Sequence, residues 1–438
     1  MKYLAWGAFW IATYLLLILA PLFVLLVGPA PKGGGIWWDF SIALGFSGTA
    51  MLGIMFLLTA RFRFPAEPFG IDLIYYFHKQ ISVVMAIIII LHPSILLMTD
   101  TGLISLLNPL SSPFHISAGL YSVIALLIVI VSSLYRKPLR IHYDGWRILH
   151  AFLAVLALLF AVIHIEGIGN YVKTPWKRVL WIILPAAWLT IIIYVRIFRP
   201  LHLLRQSYLV DTVKEERGEA WTLVLRPEDN YTFDFRPGQF AWITIRNSPF
   251  ALREHPFSIS SSAVYKEKLE FTIKELGDFS GTIKLLNGGE RVYVDGPYGA
   301  FSTERHPSPG YIFIAGGIGI APIMSMLRTL SDRNDKRPHK LFYAYKNLEK
   351  LTFREDLERL KSSLDLTIVC ILKEAREDWA GERGLISREL IGRHLPDDYR
   401  KRDYFVCGPV PMIRIVEKAL NELHVPFWQV HSELFDLV

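Results

Sequence analysis

YYFHKQISVVMAIIIILHPS at residues 75–94 and RILHAFLAVLALLFAVIHIE at residues 147–166 are the two apolar stretches that decide the fold of this chain. Each contains two histidines 14 positions apart, and these are His78 and His92 in the first stretch and His150 and His164 in the second. On an α-helix, 14 residues turn through about 1400°, which leaves two imidazoles about 40° apart on one face and roughly 21 Å apart along the axis. Two such helices side by side would offer two facing pairs of imidazoles, stacked across a bilayer whose hydrocarbon core is about 30 Å thick.

The repeated histidine spacing indicates metal ligation. A neutral imidazole is a good axial ligand for haem iron, and ionisable groups at membrane depth usually serve a function. A single histidine in an apolar helix is more often hydrogen-bonded to a neighbour than bound to metal, but the same spacing on two helices favours ligands. A tetrahedral zinc site is a poor alternative, because same-helix ligands for one ion lie about 3 or 4 residues apart. The pattern therefore predicts two haem sites in a membrane.

The composition of the chain divides it into two halves. Of its 438 residues, those up to about 200 are dominated by apolar side chains, whereas the remainder has an ordinary polar composition. The net charge of +7 is modest, and much of it flanks apolar segments, so a membrane surface explains it better than nucleic acid does. Neither cysteine, Cys370 or Cys407, lies in a CxxC or CxxCH motif. Iron–sulfur clusters, c-type haem attachment and a disulfide framework are therefore not expected.

Six membrane-spanning helices are predicted, at about 4–27, 38–60, 73–98, 115–135, 147–166 and 177–198. The connections rich in arginine and lysine would share one side, which the positive-inside rule makes cytoplasmic. Both termini and the polar half would lie on that side. Helices three and five then run in the same direction, so His78 pairs with His150 at the cytoplasmic level. His92 pairs with His164 at the outer level, and Pro93 is expected to kink or loosen the helix there.

The pattern of the polar half changes twice. From about residue 205, short strands are separated by turns, as in a small antiparallel barrel. After residue 308, strands alternate with helical stretches, which indicates a parallel sheet with crossover helices. The predicted fold is a six-helix membrane α-helical bundle at 1–204, an antiparallel β-barrel at 205–303 and an α/β domain at 304–438.

A glycine-rich turn, GGIGIAP at residues 316–322, follows the strand YIFIA and precedes a helix. Such glycines let a pyrophosphate approach the backbone and the helix N-terminus, where unpaired N–H groups attract anions. The alternative is a tight turn without a ligand. Three further motifs are HPFSIS at 255–260, DGPYG at 295–299 and CGP at 407–409. Each of these alone could be a structural turn.

Together, in this order and after two helices with the His-x13-His pattern, these motifs make the chain resemble the NADPH oxidase / ferric reductase family. Its soluble half is similar to the flavin and pyridine-nucleotide modules of the ferredoxin–NADP reductase superfamily. The resemblance covers nearly all of the chain. It implies a di-haem membrane domain at 1–204, an FAD-binding barrel at 205–303 and an NAD(P)H-binding domain at 304–438.

The resemblance also implies which residues contact FAD. The flavin-binding strand would consist of His255, Pro256, Phe257 and Ser258. Phe257 would lie against the flavin and Ser258 near its reactive N5. The FAD pyrophosphate would meet Lys274, Gly277, Ser280 and Gly281. In this family an aromatic at the end of the chain covers the flavin ring. Its counterpart is Phe435, which three further residues follow here.

The nucleotide site is implied in the same way. The NAD(P)H pyrophosphate would be held by Gly316, Gly317, Gly319 and Pro322. Cys407 and Gly408 would lie by the nicotinamide. Lys346 occupies a position where related reductases often carry a basic residue for the 2′-phosphate, which favours NADPH over NADH. The candidate catalytic residues are Ser258, Cys407, Glu433 and Phe435.

The implied function is transfer of electrons from cytoplasmic NAD(P)H through FAD and two b-type haems to a small acceptor outside a bacterial-type plasma membrane. O2, giving superoxide, is the expected acceptor, and a ferric chelate is the alternative, since ferric reductases often show x13 in both helices. A second alternative is a haem-containing membrane subunit that passes electrons to a partner protein. No EF-hand pattern occurs, so no obligatory protein activator is expected.

Overall fold

The computed structural model describes residues 2–27, 34–62, 70–229 and 231–434. The chain divides into two compact units, Met1–Pro200 and Leu201–Val438. The finer division at residues 204 and 303 stays a prediction.

The first unit is built from apolar helices. They are α1 (Lys2–Leu26), α2 (Ile36–Thr59), α3 (Ile71–Thr99), α4 (Phe114–Leu134), α5 (Tyr143–Ile168) and α6 (Pro175–Ile193). Five of them, α2 to α6, are long and apolar enough to cross a membrane. In α1 the apolar stretch among the described residues, Ala5–Pro21, is shorter. The predicted number of six spans is therefore not confirmed.

One helix differs from the sequence-based expectation. α3 continues through Pro93 to Thr99 as expected, because an apolar environment offers its backbone no partners other than its own carbonyls, and a kink at Pro93 stays a prediction. α6 does not end at residue 198. It passes through a π-helical turn, Tyr194–Phe198, into a short helix α7, Arg199–Leu204.

Glycines on α2 allow it to pack closely on its neighbours. A Cβ atom on Gly48 would lie 2.5 Å from Ile89 Cγ1, and one on Gly53 would lie 2.1 Å from Trp188 Cε2. Real Cβ atoms do not approach so closely, so only glycine fits at these two positions. Small residues at helix interfaces are the usual way to bring membrane helices together. α2 is thereby held against both α3 and α6.

The second unit begins with an antiparallel half-barrel. Its strands are β1 (Ser207–Glu216), β2 (Ala220–Pro227), β3 (Phe240–Ile245), β4 (His255–Ser258), β5 (Leu269–Lys274) and β6 (Arg291–Tyr298). They pair in the order β4-β3-β6-β1-β2-β5, and a bridge from Ile259 to Phe271 links the two ends. The HPFS segment, expected to be a strand, is the edge strand β4. Alternating apolar side chains such as Leu223 and Ile243 fill the interior.

A parallel sheet with helices follows in the same unit. Its strands are β7 (Tyr311–Gly316), β8 (His339–Tyr345), β9 (Leu366–Leu372), β10 (Glu382–Arg383), β11 (Asp403–Gly408) and β12 (Val430–Leu434). The order is β10-β9-β8-β7-β11-β12, with every neighbouring pair parallel. The helices, counting the short α8 of the barrel, are α8 (Asp278–Gly281), α9 (Ile320–Asp332), α10 (Arg354–Ser363), α11 (Arg388–His394) and α12 (Val410–Glu422). The predicted fold class is confirmed, whereas β10, β12 and α11 were not predicted.

Candidate functional site

The structure brings the four spaced histidines together as two pairs between α3 and α5. The ring centres of His78 and His150 lie 6.3 Å apart, with their planes inclined by 58°. Those of His92 and His164 lie 6.4 Å apart, inclined by 70°. The two separations are nearly equal although the pairs lie on different turns of the helices. Each pair therefore encloses a gap of the same width.

This gap fits one metal ion with two axial imidazoles. A bond from a metal to an imidazole nitrogen is about 2 Å long, and the ring centre lies about 1 Å further on, so two rings on one ion have centres about 6 Å apart. Rings in van der Waals contact would lie closer than this. The histidine pairs thus have the spacing that a bis-histidine haem requires.

Backbone carbonyls fix the ring orientation of His92 and His164, called the outer pair after its predicted level in the membrane; His78 and His150 are the inner pair. Nδ1 of His92 lies 2.8 Å from the carbonyl oxygen of Ser41, and Nδ1 of His164 lies 2.9 Å from that of His115. A carbonyl only accepts, so each Nδ1 carries the proton and donates it. The lone pair of each ring is then on Nε2, which is free to bind metal. This outer-shell hydrogen bond is the usual companion of a ligating histidine.

Two glycines make room for the outer imidazoles. A Cβ atom on Gly119 of α4 would lie 2.7 Å from Nδ1 of His164, and one on Gly45 of α2 would lie 3.2 Å from three ring atoms of His92. The flanking helices therefore touch the imidazoles with their backbones. Sequence analysis missed both glycines, although an isolated glycine inside an apolar helix is a recognisable signal of close approach.

The inner pair has different surroundings. Nδ1 of His150 lies 3.2 Å from the hydroxyl oxygen of Ser133, whereas Nδ1 of His78 is buried without a hydrogen-bond partner among the described residues. The indole of Trp146 lies 5.1 Å from the His150 ring, and the Arg136 guanidinium lies 5.7 Å from that indole. Among the described residues, the rings of this pair therefore have fewer hydrogen-bond partners than those of the outer pair.

The predicted flavin residues lie on β4 and the turn around α8. His255 stacks on Phe279 with ring centres 3.8 Å apart, and Phe257 lies parallel to the same ring at 5.9 Å. Ser258 is buried where β4 pairs with β3. Phe279, which sequence analysis missed, thus lies against both aromatic rings of the HPFS strand.

The turn predicted to meet the FAD pyrophosphate is held by its own serine. The hydroxyl oxygen of Ser280 accepts hydrogen bonds from the N–H groups of Leu276 and Gly277 at 2.9 and 3.0 Å. A Cβ atom on Gly277 or Gly281 would meet nothing within 4 Å. The backbone is therefore bare on this side, as an approaching phosphate requires. The Lys274 ammonium lies on the preceding strand, 5.8 Å from the centre of the Tyr345 ring.

The glycine-rich turn after β7 packs tightly on the turn after β11. Gly317 has φ +54°, in the region that glycine adopts without strain. A Cβ atom on Gly319 would lie 2.3 Å from the carbonyl oxygen of Cys407, and one on Gly408 would lie 3.1 Å from Gly316 Cα. Pro322 is buried in the first turn of α9. The two turns thus meet at the carboxyl edge of the sheet, where ligands of parallel sheets usually bind.

The candidate catalytic residues near this edge are enclosed by protein. Cys407 is fully buried, and burial raises the pKa of its thiol well above the ordinary range, with Glu433 adding to the effect. The thiol is therefore neutral at neutral pH. Glu433 lies opposite Cys407 in the β11–β12 pairing and is also buried. Phe435 lies outside the described residues.

Lys346 follows β8, at the edge where a 2′-phosphate was predicted to bind. Its ammonium lies 3.5 Å from a carboxylate oxygen of Glu374, and both side chains are more than half exposed. Such a pair contributes little to stability. The ammonium remains accessible to a phosphate.

Three protein families match successive parts of this chain. Residues 44–161 match the "Ferric reductase like transmembrane component", residues 221–302 an "FAD-binding domain" and residues 313–418 an "Oxidoreductase NAD-binding domain". The chain has the NADPH oxidase / ferric reductase-like architecture. The predicted family resemblance is confirmed at that level. The chain thus combines a ferric reductase-like membrane component with FAD-binding and NAD-binding domains of the oxidoreductase type.

Relatives of known function are similar to about half of the chain. The glycine betaine monooxygenase reductase subunit of Chromohalobacter salexigens is 29% identical over 51% of this chain and 62% of its own length. The propane 2-monooxygenase reductase component of Mycolicibacterium goodii is 30% identical over 51% of this chain and 65% of its own. The matches thus span less than two thirds of either relative.

Among solved structures, the FAD/NAD-binding domain of a nitric oxide dioxygenase from Vibrio cholerae is similar over 52% of this chain and 98% of its own. The identity is 21% and the TM-score is 0.47.

Proposed function

We propose that this protein carries electrons from cytoplasmic NAD(P)H through FAD and two bis-histidine b-type haems to O2 on the extracytoplasmic side, giving superoxide. The observation that carries the proposal is the pair of imidazole separations, 6.3 and 6.4 Å, on two adjacent apolar helices. A hydride donor in the cytoplasm and two haems within the bilayer would form such a path for electrons.

The residues of the chain hold and orient the cofactors. When bound, FAD takes the hydride and releases its two electrons singly, and the haems carry them one at a time. Nε2 of each histidine would bind iron, while the Ser41 and His115 carbonyls keep the proton on Nδ1 of the outer pair. One hydride would reduce two molecules of O2 and leave one proton in the cytoplasm. Because two histidines would hold each iron, O2 would accept its electron without binding to the iron.

Haem quantitation tests the ligand assignment. We expect the purified wild-type protein to hold about two b-type haems and His92→Ala to hold about one, because each iron needs both axial imidazoles. His142→Ala is the matched control, since this exposed histidine precedes α5 and lies in neither pair. Unchanged haem content in His92→Ala would refute the assignment.

A ferric chelate is the second candidate for the acceptor. It is favoured by the match of residues 44–161 to the ferric reductase-like component and by the equal spacing in both helices. One assay distinguishes O2 from a ferric chelate as the acceptor. Reduction of cytochrome c that superoxide dismutase abolishes would support O2, whereas reduction of Fe(III) chelate without any such signal would establish the alternative.

A partner protein as acceptor is the third candidate. It gains support from the names of the relatives, which are reductase subunits or components of monooxygenases. The activity of the purified protein distinguishes a partner protein from the other two acceptors. We expect the protein alone to turn over NAD(P)H with O2 or ferric chelate, and a strict requirement for an added protein would favour the partner.

We also propose NADPH as the preferred donor, on the basis of Lys346. An ammonium at the end of β8 can bind the 2′-phosphate as a point charge. Lys346→Gln should then raise the KM for NADPH and leave that for NADH nearly unchanged. Lys361→Gln, at an exposed helical position, is the control. Equal effects on both nucleotides would contradict the assignment.

A further inference from the structure

A cluster of two imidazoles and a carboxylate lies in the parallel-sheet part of the second unit. It consists of His306, in the loop before β7, Asp403, the first residue of β11, and His431, in β12. One ligand atom from each of the three residues lies within 4.8 Å of the other two. Nε2 of His431 is 2.8 Å from Asp403 Oδ1, and the two imidazoles stack with centres 3.6 Å apart.

The cluster is separate from the nucleotide edge of the sheet. Parallel pairing places Phe405 opposite His431 and Cys407 opposite Glu433. Asp403 and His431 are therefore at the amino ends of their strands. The turns predicted to bind NAD(P)H are at the carboxyl ends. No step proposed for electron transfer uses this cluster.

The loop that carries His306 is tied down by hydrogen bonds. The hydroxyl of Tyr311 donates to the carbonyl oxygens of Thr303 and His306, both at 3.1 Å. The hydroxyl oxygen of Ser308 accepts from the N–H of Asp403 at 2.9 Å. The same loop is thus fixed both to β7 and to β11. The three side chains are presented by a preorganised backbone rather than by a mobile surface.

The side chains are also shielded from solvent. Those of His431 and Asp403 are only 14% and 12% exposed. The ring of Phe405 lies 5.0 Å from His431 and 6.1 Å from His306 and forms an apolar wall. Two imidazolium ions stacked at 3.6 Å would repel one another strongly in such surroundings. At least one ring must be neutral, with a lone pair available to a Lewis acid.

We propose that His306, Asp403 and His431 form a binding site for a divalent transition metal of the zinc type. Two imidazole nitrogens and one carboxylate oxygen are a common zinc ligand set, with the fourth position left to water. Ligand atoms on one tetrahedral ion lie about 3 to 3.5 Å apart, so the cluster must close by about 1 Å. Rotations about the side-chain bonds provide that movement without displacing the backbone.

Occupation of this site would join three separate segments. The metal would link the loop before β7 to β11 and to β12, the edge strand of the sheet. Because His431 lies two residues before Glu433, the bound ion would fix the amino end of β12, whose carboxyl end carries Glu433. A bound ion would therefore stabilise the arrangement of these segments, and its binding does not depend on the proposed electron path.

Titration of the purified full-length protein with Zn²⁺, after treatment with EDTA, tests the proposal. We expect the wild type to bind Zn²⁺ at least about tenfold more tightly than His306→Ala or Asp403→Asn, because each loses one ligand. The control is His394→Ala, which breaks a similar histidine–carboxylate pair, His394 with Glu382 at 2.6 Å, where no third ligand was found among the described residues. Flavin content and the unfolding midpoint in EDTA identify any variant that fails to fold.

Asp403→Asn nearly preserves the shape of the side chain. If His306→Ala misfolds, the Zn²⁺ affinity of Asp403→Asn therefore still tests the site. A Co²⁺ absorption spectrum typical of four-coordination, present in the wild type and in His394→Ala but absent from Asp403→Asn, would support the site. Equal Zn²⁺ affinity of the wild type, His306→Ala and Asp403→Asn would overturn the proposal. The zinc would then be bound at another place, for example by the histidines of the membrane helices.

Discussion

A single glycine determines where the His164 imidazole can lie. Because a Cβ atom on Gly119 would stand 2.7 Å from Nδ1 of His164, Gly119→Ala must displace the ring or push α4 away. We expect the variant to lose much of the outer haem. Gly45→Ala, with its closest contact at 3.2 Å, should have a smaller effect. The measurement is haem content per polypeptide with a reduced-minus-oxidised spectrum.

Gly145→Ala provides the control, since this glycine is also in a membrane helix but its Cβ would meet nothing within 4 Å. It should keep full haem content and gain slightly in helix propensity. If Gly119→Ala and Gly145→Ala retained haem equally, the close packing of α4 on His164 would not matter for haem binding.

Protonation of one buried histidine should weaken the second unit in acid. Nδ1 of His339 accepts the backbone N–H of Tyr311 at 3.2 Å, and burial lowers the pKa of His339 to about 4. An unfolded histidine has a pKa of about 6.5, so the unfolded state binds the proton first. Neutral His339 therefore makes its full contribution to the free energy of unfolding above pH 6.5. This contribution decreases as the pH falls, and the loss reaches about 3 kcal/mol at pH 4.

The urea midpoint, followed between pH 7 and 4 by tryptophan and flavin fluorescence, measures this loss. His339→Asn keeps a neutral acceptor and should flatten the pH dependence. His424→Asn replaces an exposed histidine at φ +59°, which asparagine tolerates, and should leave the slope as in the wild type. The same slope in both variants would show that His339 is not the responsible group.

The four ligand candidates were predictable from the sequence, because helical periodicity alone places residues 14 apart on one face. The glycines in α2 and α4 signal close packing, but their contact with the histidines was not predictable, because it depends on which helices become neighbours. Gly45 and Gly119 are ordinary small residues until α2 and α4 are placed beside His92 and His164. The stacking of Phe279 on His255 was missed for the same reason.

At the scale of elements, Arg328 joins α9 to the barrel. The Arg328 guanidinium donates to the carbonyl oxygen of Ser260 and to Glu270, both at 2.8 Å, and to Asp356 at 2.5 Å. Arg328, Glu270 and Asp356 are all about one-fifth exposed, so removal of the cation leaves two poorly solvated carboxylates. We expect Arg328→Met to lower the free energy of unfolding by about 2 to 4 kcal/mol.

Thermal unfolding of the flavin-loaded protein measures that loss. Arg328→Lys should recover only part of it, because an ammonium cannot reproduce the fork of a guanidinium. Arg359→Met is the control, since Arg359 also contacts Asp356 but is 78% exposed. A loss of stability in Arg359→Met as large as in Arg328→Met would contradict the importance of the α9 contact.

The alternation of strands and helices after residue 308 was predictable because the long strands are mainly apolar and mostly buried. The edge strand β12 was not, because VHSEL is short and carries three polar side chains, and its partner β11 supplies the pairing. The strand β10 has only two residues and no periodic pattern at all.

For the whole molecule, the predicted orientation can be tested with vesicles. The arginine-rich connections are expected to face the cytoplasm together with the dehydrogenase half. Inverted membrane vesicles should therefore oxidise added NAD(P)H, whereas intact right-side-out vesicles should not until they are permeabilised. Oxidation of NAD(P)H by intact right-side-out vesicles, but not by inverted ones, would show that the orientation is the opposite of the predicted one.

The organisation of the whole molecule was predictable from the sequence as a helical membrane half followed by an antiparallel barrel and an α/β fold. The number of spans was less secure, because α1 is apolar but only Ala5–Pro21 of it satisfies the composition of a span among the described residues. No motif identifies the acceptor, since the proposed electron transfer from a haem requires no dedicated residues that bind the acceptor.

The carbonyls that hold the outer imidazoles have a consequence for evolution. A main-chain oxygen belongs to every amino acid, so drift at Ser41 or His115 changes the side chain and leaves the acceptor in place. The Ser133 hydroxyl beside His150 has no such protection, because one nucleotide change can remove it. Across distant descendants of this chain, the surroundings of the inner imidazoles should therefore diverge sooner than those of the outer ones.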